Sequence, residues 1–295
     1  MREHKAAVDP NCPVGVVVAT RNRAEGLSEI LQHLLNLPEQ PPVVVVDNAS
    51  TDGSADRVEK RYPGVTVLRL EKNLGAAARN EGAAALSTPY VAFCDDDSWW
   101  APGSLARAAA LFEQHPRVGL LAARVLVGAD ERVDPTCEVM ANSALGFPPE
   151  LPGPRILGFI ACGAVVRREA YLDAGGFNSH FGVGGEEDHL ALTLAARGWD
   201  LAYVEELVVY HHPSPIRDKG ARLEIVTRNS LWTTWLLRSG GEVLRQTAAA
   251  LRKAAVDERS RRGVWQAVRG LPWVFRQRRP LPAGVEQMAR ALAER

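Results

Sequence analysis

The stretch Tyr90–Trp100, "YVAFCDDDSWW", decides how the rest of the chain is read. Its first four residues form a short apolar run of the kind found in a buried strand, and the run leads into three adjacent carboxylates, Asp95, Asp96 and Asp97. Three ionised aspartates in a row repel one another, so the arrangement makes electrostatic sense if a cation sits at that strand end. The alternative is a solvated acidic turn that caps a helix starting near Gly103.

Upstream, short apolar runs alternate with amphipathic segments. "VGVVVAT" (14–20) reads as a fully buried strand, followed by a helix from about Ala24 with Leu27, Ile30, Leu31, Leu34 and Leu35 at helical spacing. A second strand covers Val43–Val46, a short helix follows in "TDGSADRVEKRY", a third strand is "VTVLRL" (65–70), and "GAAARNEGAAAL" (75–86) is an alanine-rich helix. This alternation predicts an α/β fold with a parallel sheet wrapped by helices and a ligand crevice at the carboxyl ends of the strands. Downstream, a helix is expected over 103–115 and a strand over 118–127. A long loop with Pro135, Pro148, Pro149, Pro152 and Pro154 follows, then a strand over 158–166, a helix over 187–197 and a strand "LAYVEELVVYHH".

The chain has 295 residues, 46% of them hydrophobic, enough for a large core. Its 35 basic and 35 acidic side chains cancel, which argues against nucleic acid as a partner. The N-terminal stretch "MREHKAAVDPNCP" lacks the apolar centre of a secretory leader, and no apolar run reaches the ~20 residues that a membrane span needs. Cys12, Cys94, Cys137 and Cys162 are scattered, as free thiols in a reducing compartment would be. The expected location is cytoplasmic. Beyond Lys219 the chain turns helical and basic: between residues 245 and 279 ten Lys and Arg face only Asp257 and Glu258, and Trp232, Trp235, Trp265 and Trp273 are interspersed. These helices are expected either to meet an anionic membrane surface at its inner face or to pack their tryptophans on the domain before them. The expected division is a catalytic domain over 1–230 and a helical extension over 231–295.

Hard divalent cations such as Mg²⁺ or Mn²⁺ take oxygen ligands, commonly one or two carboxylates with phosphate oxygens completing the shell. Asp95 and Asp97, one residue apart, suit that role, in the DxD arrangement of nucleotide-sugar enzymes. Asp47 ends the second strand and can accept a hydrogen bond from a ribose or base, or can build a turn with Ser50 and Asp52. Thr20, Arg21 and Arg23 follow the first strand, and Asn73, Gly75 and Arg79 follow the third, where a diphosphate can approach a helix N-terminus. At "GGEED", Glu186, Glu187 or Asp188 is placed to act as a general base or simply to complement a helix dipole. His211 or His212, after the last strand, can offer a ring nitrogen to the same cation.

In this order, "VVVATRNR", "VVVVDNASTDGS", "NLGAAARNEGA", "FCDDDSWWAPGSL", "GGFNSHFGVGGEEDHLALTLAARGW" and "VVYHH" resemble the inverting family 2 glycosyltransferases of the GT-A fold, over about residues 13–232. The resemblance implies a Rossmann-like mixed sheet flanked by helices. It implies a metal-dependent enzyme that moves a hexose or deoxyhexose from a nucleoside-diphosphate sugar to a small-molecule, glycan or lipid-linked acceptor. It assigns Thr20, Arg21 and Asp47 to the base and ribose, Asn73, Gly75 and Arg79 to the ribose or diphosphate, and Asp96 to the nucleotide. Asp95 and Asp97 serve the metal, with Asp95 also near the nucleotide; His211 is a further ligand, Asp188 the catalytic base and Glu187 its support. Two positions depart from the family pattern: Ala19-Thr20-Arg21 stands where Pro-Thr-Tyr is usual, and Asn48 stands at a usually acidic position. The competing readings are a sugar nucleotidyltransferase, which would want a glycine-rich basic loop after the first strand, and a non-catalytic nucleotide-binding protein, which would have no use for the Glu187-Asp188 pair.

Overall fold

A computed structural model describes residues 12–213 and 219–294; the N-terminal stretch read above against a secretory leader lies outside them up to residue 11. Strands β1 (Val14–Thr20), β2 (Val43–Asp47), β3 (Thr66–Arg69) and β4 (Tyr90–Asp95) are mutually parallel in the order β3-β2-β1-β4. The sheet continues from β4 through β8 (Ala164–Arg167), β6 (Val118–Val127), β9 (Asp200–His211) and β5 (Ser98–Trp100), with β7 (Arg132–Val133) on β6. β8 runs antiparallel to β4 and β6, so the sheet is mixed.

The apolar strands are buried on both faces, which is why they read as continuous valine runs rather than alternating ones. Val16 and Val18 of β1 join Leu27, Leu31 and Leu34 of α1 (Gly26–Leu35) and Leu105 of α4 (Ser104–Gln114) on one side. Val17 faces the other way, toward Ala78 and Ala83 of α3 (Ala78–Ala85). On that second side also lie α6 (Arg168–Asp173), α7 (Glu186–Ala196) and, through Leu231, Trp232, Trp235 and Leu236, α8 (Lys219–Leu237). α2 (Ser54–Arg61) packs beside β3. The four cysteines are buried, and Cys94, Cys137 and Cys162 are free thiols.

Two expectations are corrected. The proline-rich region holds a helix, α5 (Pro135–Ala141), because Pro135 sits at its first position, where no N–H is needed, and the Asp134 carboxylate accepts from Thr136 N at 2.8 Å. The strand expected over 158–166 shortens to β8. Phe159 is buried in the core outside any ladder, and Ala161–Gly163 forms a 3₁₀ turn. Apolar character demanded burial there; it did not demand pairing.

The C-terminal helices are α9 (Gly240–Val256), α10 (Glu258–Arg269), α11 (Leu271–Gln277) and α12 (Ala283–Ala293). Trp232 donates to Ala267 O at 3.0 Å, Trp235 to Thr247 Oγ1 at 2.9 Å, and Trp273 stacks on His180 with ring centres 4.1 Å apart. Arg238 anchors α12 through Glu286 at 2.9 Å. α10 lies against α8 because Gly263 has no side chain: a Cβ there would stand 2.7 Å from Glu224 O and 2.8 Å from Thr227 Cβ. Gly263→Val is therefore expected to destabilise the fold by about 1–3 kcal/mol through overpacking, read as a lower urea midpoint at unchanged slope. An unchanged midpoint would mean that this helix contact is not tight. Among the described residues no helix is long and apolar enough to cross a membrane.

Candidate functional site

Parallel pairing sets the first part of the site. Thr20 is in register with Asp47, and Ala19 with Asp95, so the ends of β2, β1 and β4 lie side by side. The Asp95 N–H donates to Ser98 Oγ at 2.8 Å, turning the chain after β4. Short β5 then pairs antiparallel with β9, Ser98 opposite His211, and this delivers the late histidine to the acidic run. His211 Nε2 lies 3.3 Å from Asp97 Oδ1, and His212 N donates to Asp97 O at 2.8 Å. Ligand atoms of Asp95, Asp97 and His211 all fall within 4.8 Å of one another.

Cationic groups partly offset this charge. Buried Arg79 is ion-paired with Asp95 and lies over the Phe177 ring at 5.7 Å. Arg23 is 3.4 Å from Asp96 and 4.0 Å from Asp97. Burial pushes the Asp96 carboxyl up to about 6, against the pull of a 2.8 Å hydrogen bond from Thr20 Oγ1 and of Arg23.

The second acidic group arrives on α7, whose first turn is Glu186, Glu187 and Asp188. The preceding loop is held from two sides. Gly75, at φ +59°, touches Gly182 so closely that a Cβ would stand 2.6 Å from its Cα, and Ala76 N donates to Gly182 O at 2.9 Å. From α8, fully buried Asn229 donates to Phe181 O at 2.9 Å and Gly184 O at 2.7 Å, and Arg228 donates to Phe181 O at 2.6 Å. Glu186 turns inward and accepts from Gly184 N; burial and the neighbouring Glu187 raise its pKa. Asp188 is exposed, and the space it faces is a cavity; Gly158 faces its Oδ1 without a side chain to obstruct it. Desolvation by the surrounding protein, with Glu187 adding repulsion, lifts the Asp188 pKa to about 6.

That cavity, about 560 Å³, is lined by Arg79, Asp95, Glu187, Asp188, His211 and Arg222, among others. A second cavity of about 430 Å³ meets it at Thr136, Phe159 and Asp188, walled by α5, α7, α8 and α12. A third, about 610 Å³, lies beside Arg23, Asp52 and His212. Of the residues expected from the sequence, Arg79, Asp95, Glu187, Asp188 and His211 share the first cavity, and Asp97 adjoins it through His211. Thr20 and Asp96 are joined to each other, and buried Asp47 accepts from Ser50 N at 3.1 Å. Asn73 is exposed and closes its own turn with Gly75 N, while Arg21 points to solvent and Arg23 turns in. Arg222 and Asn229, on α8, were not expected; nothing local marks them, because their contacts lie some 40 residues away or across a cavity.

Residues 15–174 match the model of Glycosyl transferase family 2. The chain is 27% identical to the N-acetylglucosaminyl-diphospho-decaprenol L-rhamnosyltransferase of Mycobacterium tuberculosis, over 67% of this chain and 75% of that protein. It is 32% identical to the pre-mycofactocin glycosyltransferase of the same organism, over 78% of this chain and 51%, about half, of that relative. Among solved structures, the mannosyltransferase PcManGT from Pyrobaculum calidifontis, in complex with GDP-Man and Mn²⁺, superposes with a TM-score of 0.60 at 20% identity, covering 97% of this chain and 88% of that one.

Proposed function

Since the chain belongs to glycosyltransferase family 2 and has the GT-A fold, we propose that it is a metal-dependent, inverting enzyme with Asp188 as its general base. The observation that carries this reading is the shared cavity: Asp95, His211 and Asp188 all line it. Asp95, Asp97 and His211 suit Mn²⁺ or Mg²⁺ in chemistry, two carboxylate oxygens and one imidazole nitrogen, and in spacing. Such an ion, when bound, supplies Lewis-acid stabilisation of the leaving diphosphate. Thr20, Asp47 and Asp96 hold the base and ribose in this proposal, Arg21 flanks them, and Asn73, Gly75 and Arg79 lie toward the diphosphate.

The protein's own part in the reaction is proton removal and positioning. Asp188 takes the proton of an acceptor hydroxyl; the oxygen's electron pair forms the new bond at the anomeric carbon, and the bond from that carbon to the diphosphate oxygen breaks with inversion. The transition state is oxocarbenium-like, and the departing diphosphate takes the electron pair beside Arg79 and Arg222. Glu187 raises the basicity of Asp188 and supports acceptor or sugar. The cavity of about 430 Å³ that opens on Asp188 is the acceptor's approach. A hexosyl or deoxyhexosyl donor and a glycan or lipid-linked acceptor agree with what the relatives are named for. On this reading the enzyme works in the cytoplasm, against the inner face of the membrane.

A thermal-shift panel of UDP-, dTDP- and GDP-sugars with and without Mn²⁺ tests the donor site. One base should stabilise the protein by about 2.7 kcal/mol at roughly a hundredfold excess over Kd, and only with the metal present. Equal shifts without Mn²⁺, or none with any donor, would remove the metal-coupled site.

A further inference from the structure

The tryptophans of the C-terminal helices divide into two groups. Trp232, Trp235 and Trp273 pack inward, but Trp265 is 59% exposed, and α9 and α11, which adjoin its helix, carry exposed Leu244 (74%), Leu251 (54%), Val256 (87%) and Phe275 (70%). On α9, Leu244, Ala248, Leu251 and Ala255 recur every three to four residues and make one stripe, with Arg245 and Arg252 beside it. On α10, Arg261, Arg262, Trp265, Val268 and Arg269 share the face opposite the buried Ser260, Gly263 and Ala267. Arg269 lies over the Trp265 ring at 5.3 Å. The inner side of α10 rests on Glu224 and Thr227 of α8, and the same helix sends Arg222 and Ile225 into the cavity, so the exposed face looks away from the site.

From this face we infer a docking surface for an anionic lipid bilayer, formed by α9, α10 and α11. The apolar stripe fits the boundary between headgroups and acyl chains, and the flanking arginines fit anionic headgroups. The two acidic residues of the region are engaged: Asp257 caps α10 at Ser260 N, and Glu258 is held by Arg262 at 2.5 Å. Ten basic against two acidic residues between 245 and 279, eased at Arg245 by Glu242 and at Arg262 by Glu224, make a second copy of the same basic face a poor partner. Aliphatic Leu244, Leu251 and Val256 have nothing to stack on or bond to in a nucleic acid, whereas a bilayer buries them. The inference does not depend on the proposed function: it needs only the exposed apolar and basic face, whatever the site transfers.

Sedimentation of the full chain with phosphatidylcholine vesicles, with and without phosphatidylglycerol, tests it. Binding should require the anionic lipid and reverse in high salt. The triple variant Leu244→Glu, Trp265→Glu, Phe275→Glu should bind at least tenfold more weakly, and Arg269→Gln or Arg276→Gln each about fivefold more weakly, the effect of about one interfacial charge. Donor hydrolysis in vesicle-free buffer should be unchanged in all of them. It reads the enzyme while sedimentation reads the surface, so the two proposals fail separately. Absent binding, equal binding to neutral vesicles, wild-type binding by the arginine variants, or dimerisation through this face would overturn the inference.

Discussion

Asp188→Asn is expected to lower sugar transfer by about 10²–10⁴ while leaving the protein folded. The substitution keeps the shape of the side chain and removes only its ability to accept a proton. Desolvation by the surrounding protein, helped by Glu187, raises the Asp188 pKa to about 6, so the proposed base is ionised at neutral pH yet basic enough to compete for a hydroxyl proton as the transition state forms. Wild-type kcat/KM should therefore climb as pH rises through about 6, and the residual rate of the variant should keep only the shallower part of that limb that Asp96, also near 6, contributes. The stability effect has the opposite sign. A carboxyl whose folded-state pKa is raised binds its proton more tightly in the folded chain, so its ionisation costs stability progressively from its ordinary value near 3.8 up through about 6. Asparagine never ionises, so the variant should melt no lower than wild type at pH 8, and the two should converge near pH 4. Near-normal transfer by a folded Asp188→Asn enzyme would reassign the base to Glu187, the next carboxylate in the same cavity.

The parts of this site that were legible in the sequence are those set by parallel strand ends. Residues 14–19 and 43–46 are apolar throughout because both faces of the sheet are covered, and the polar residue that ends such a run, Thr20 or Asp47, lies at its carboxyl edge. The DDD run, Asp47 and Thr20 were readable for that reason. Orientation within a loop was not. Asn22 adopts φ +55°, held by Ser50 Oγ at 2.9 Å on its N–H and by Thr51 N at 2.8 Å on its Oδ1, and this left-handed residue turns Arg23 inward and Arg21 outward. β5 was equally silent: three residues carry no period, yet their pairing is what brings His211 to Asp97. Asn48 likewise shows its role only in three dimensions, accepting from Leu74 N at 2.7 Å and donating to Gly75 O at 3.1 Å, so it clasps the turn that carries Gly75.

Chelation of divalent ions is expected to cut transfer by about 10²–10³, the scale of losing one well-placed stabiliser of developing charge, and added Mn²⁺ should restore it. Asp97→Asn should reproduce the loss and resist rescue at the same Mn²⁺ concentration. The argument is electrostatic. Asp95 already has Arg79, and Asp96 and Asp97 have Arg23 at 3.4 and 4.0 Å, so the acidic run is partly balanced in the protein alone and the fold does not need the ion. Removing the Asp97 charge should thus leave the melting temperature in chelator close to wild type while abolishing the upward shift expected of Mn²⁺ on the native protein. A merely structural role predicts the reverse pattern, a lower melting temperature in chelator with an intact Mn²⁺ response. Full turnover in chelator would shift the burden of the leaving diphosphate onto Arg79 and Arg222, the cationic side chains that line the cavity. Arg222→Ala should then cost as much as Asp97→Asn was expected to.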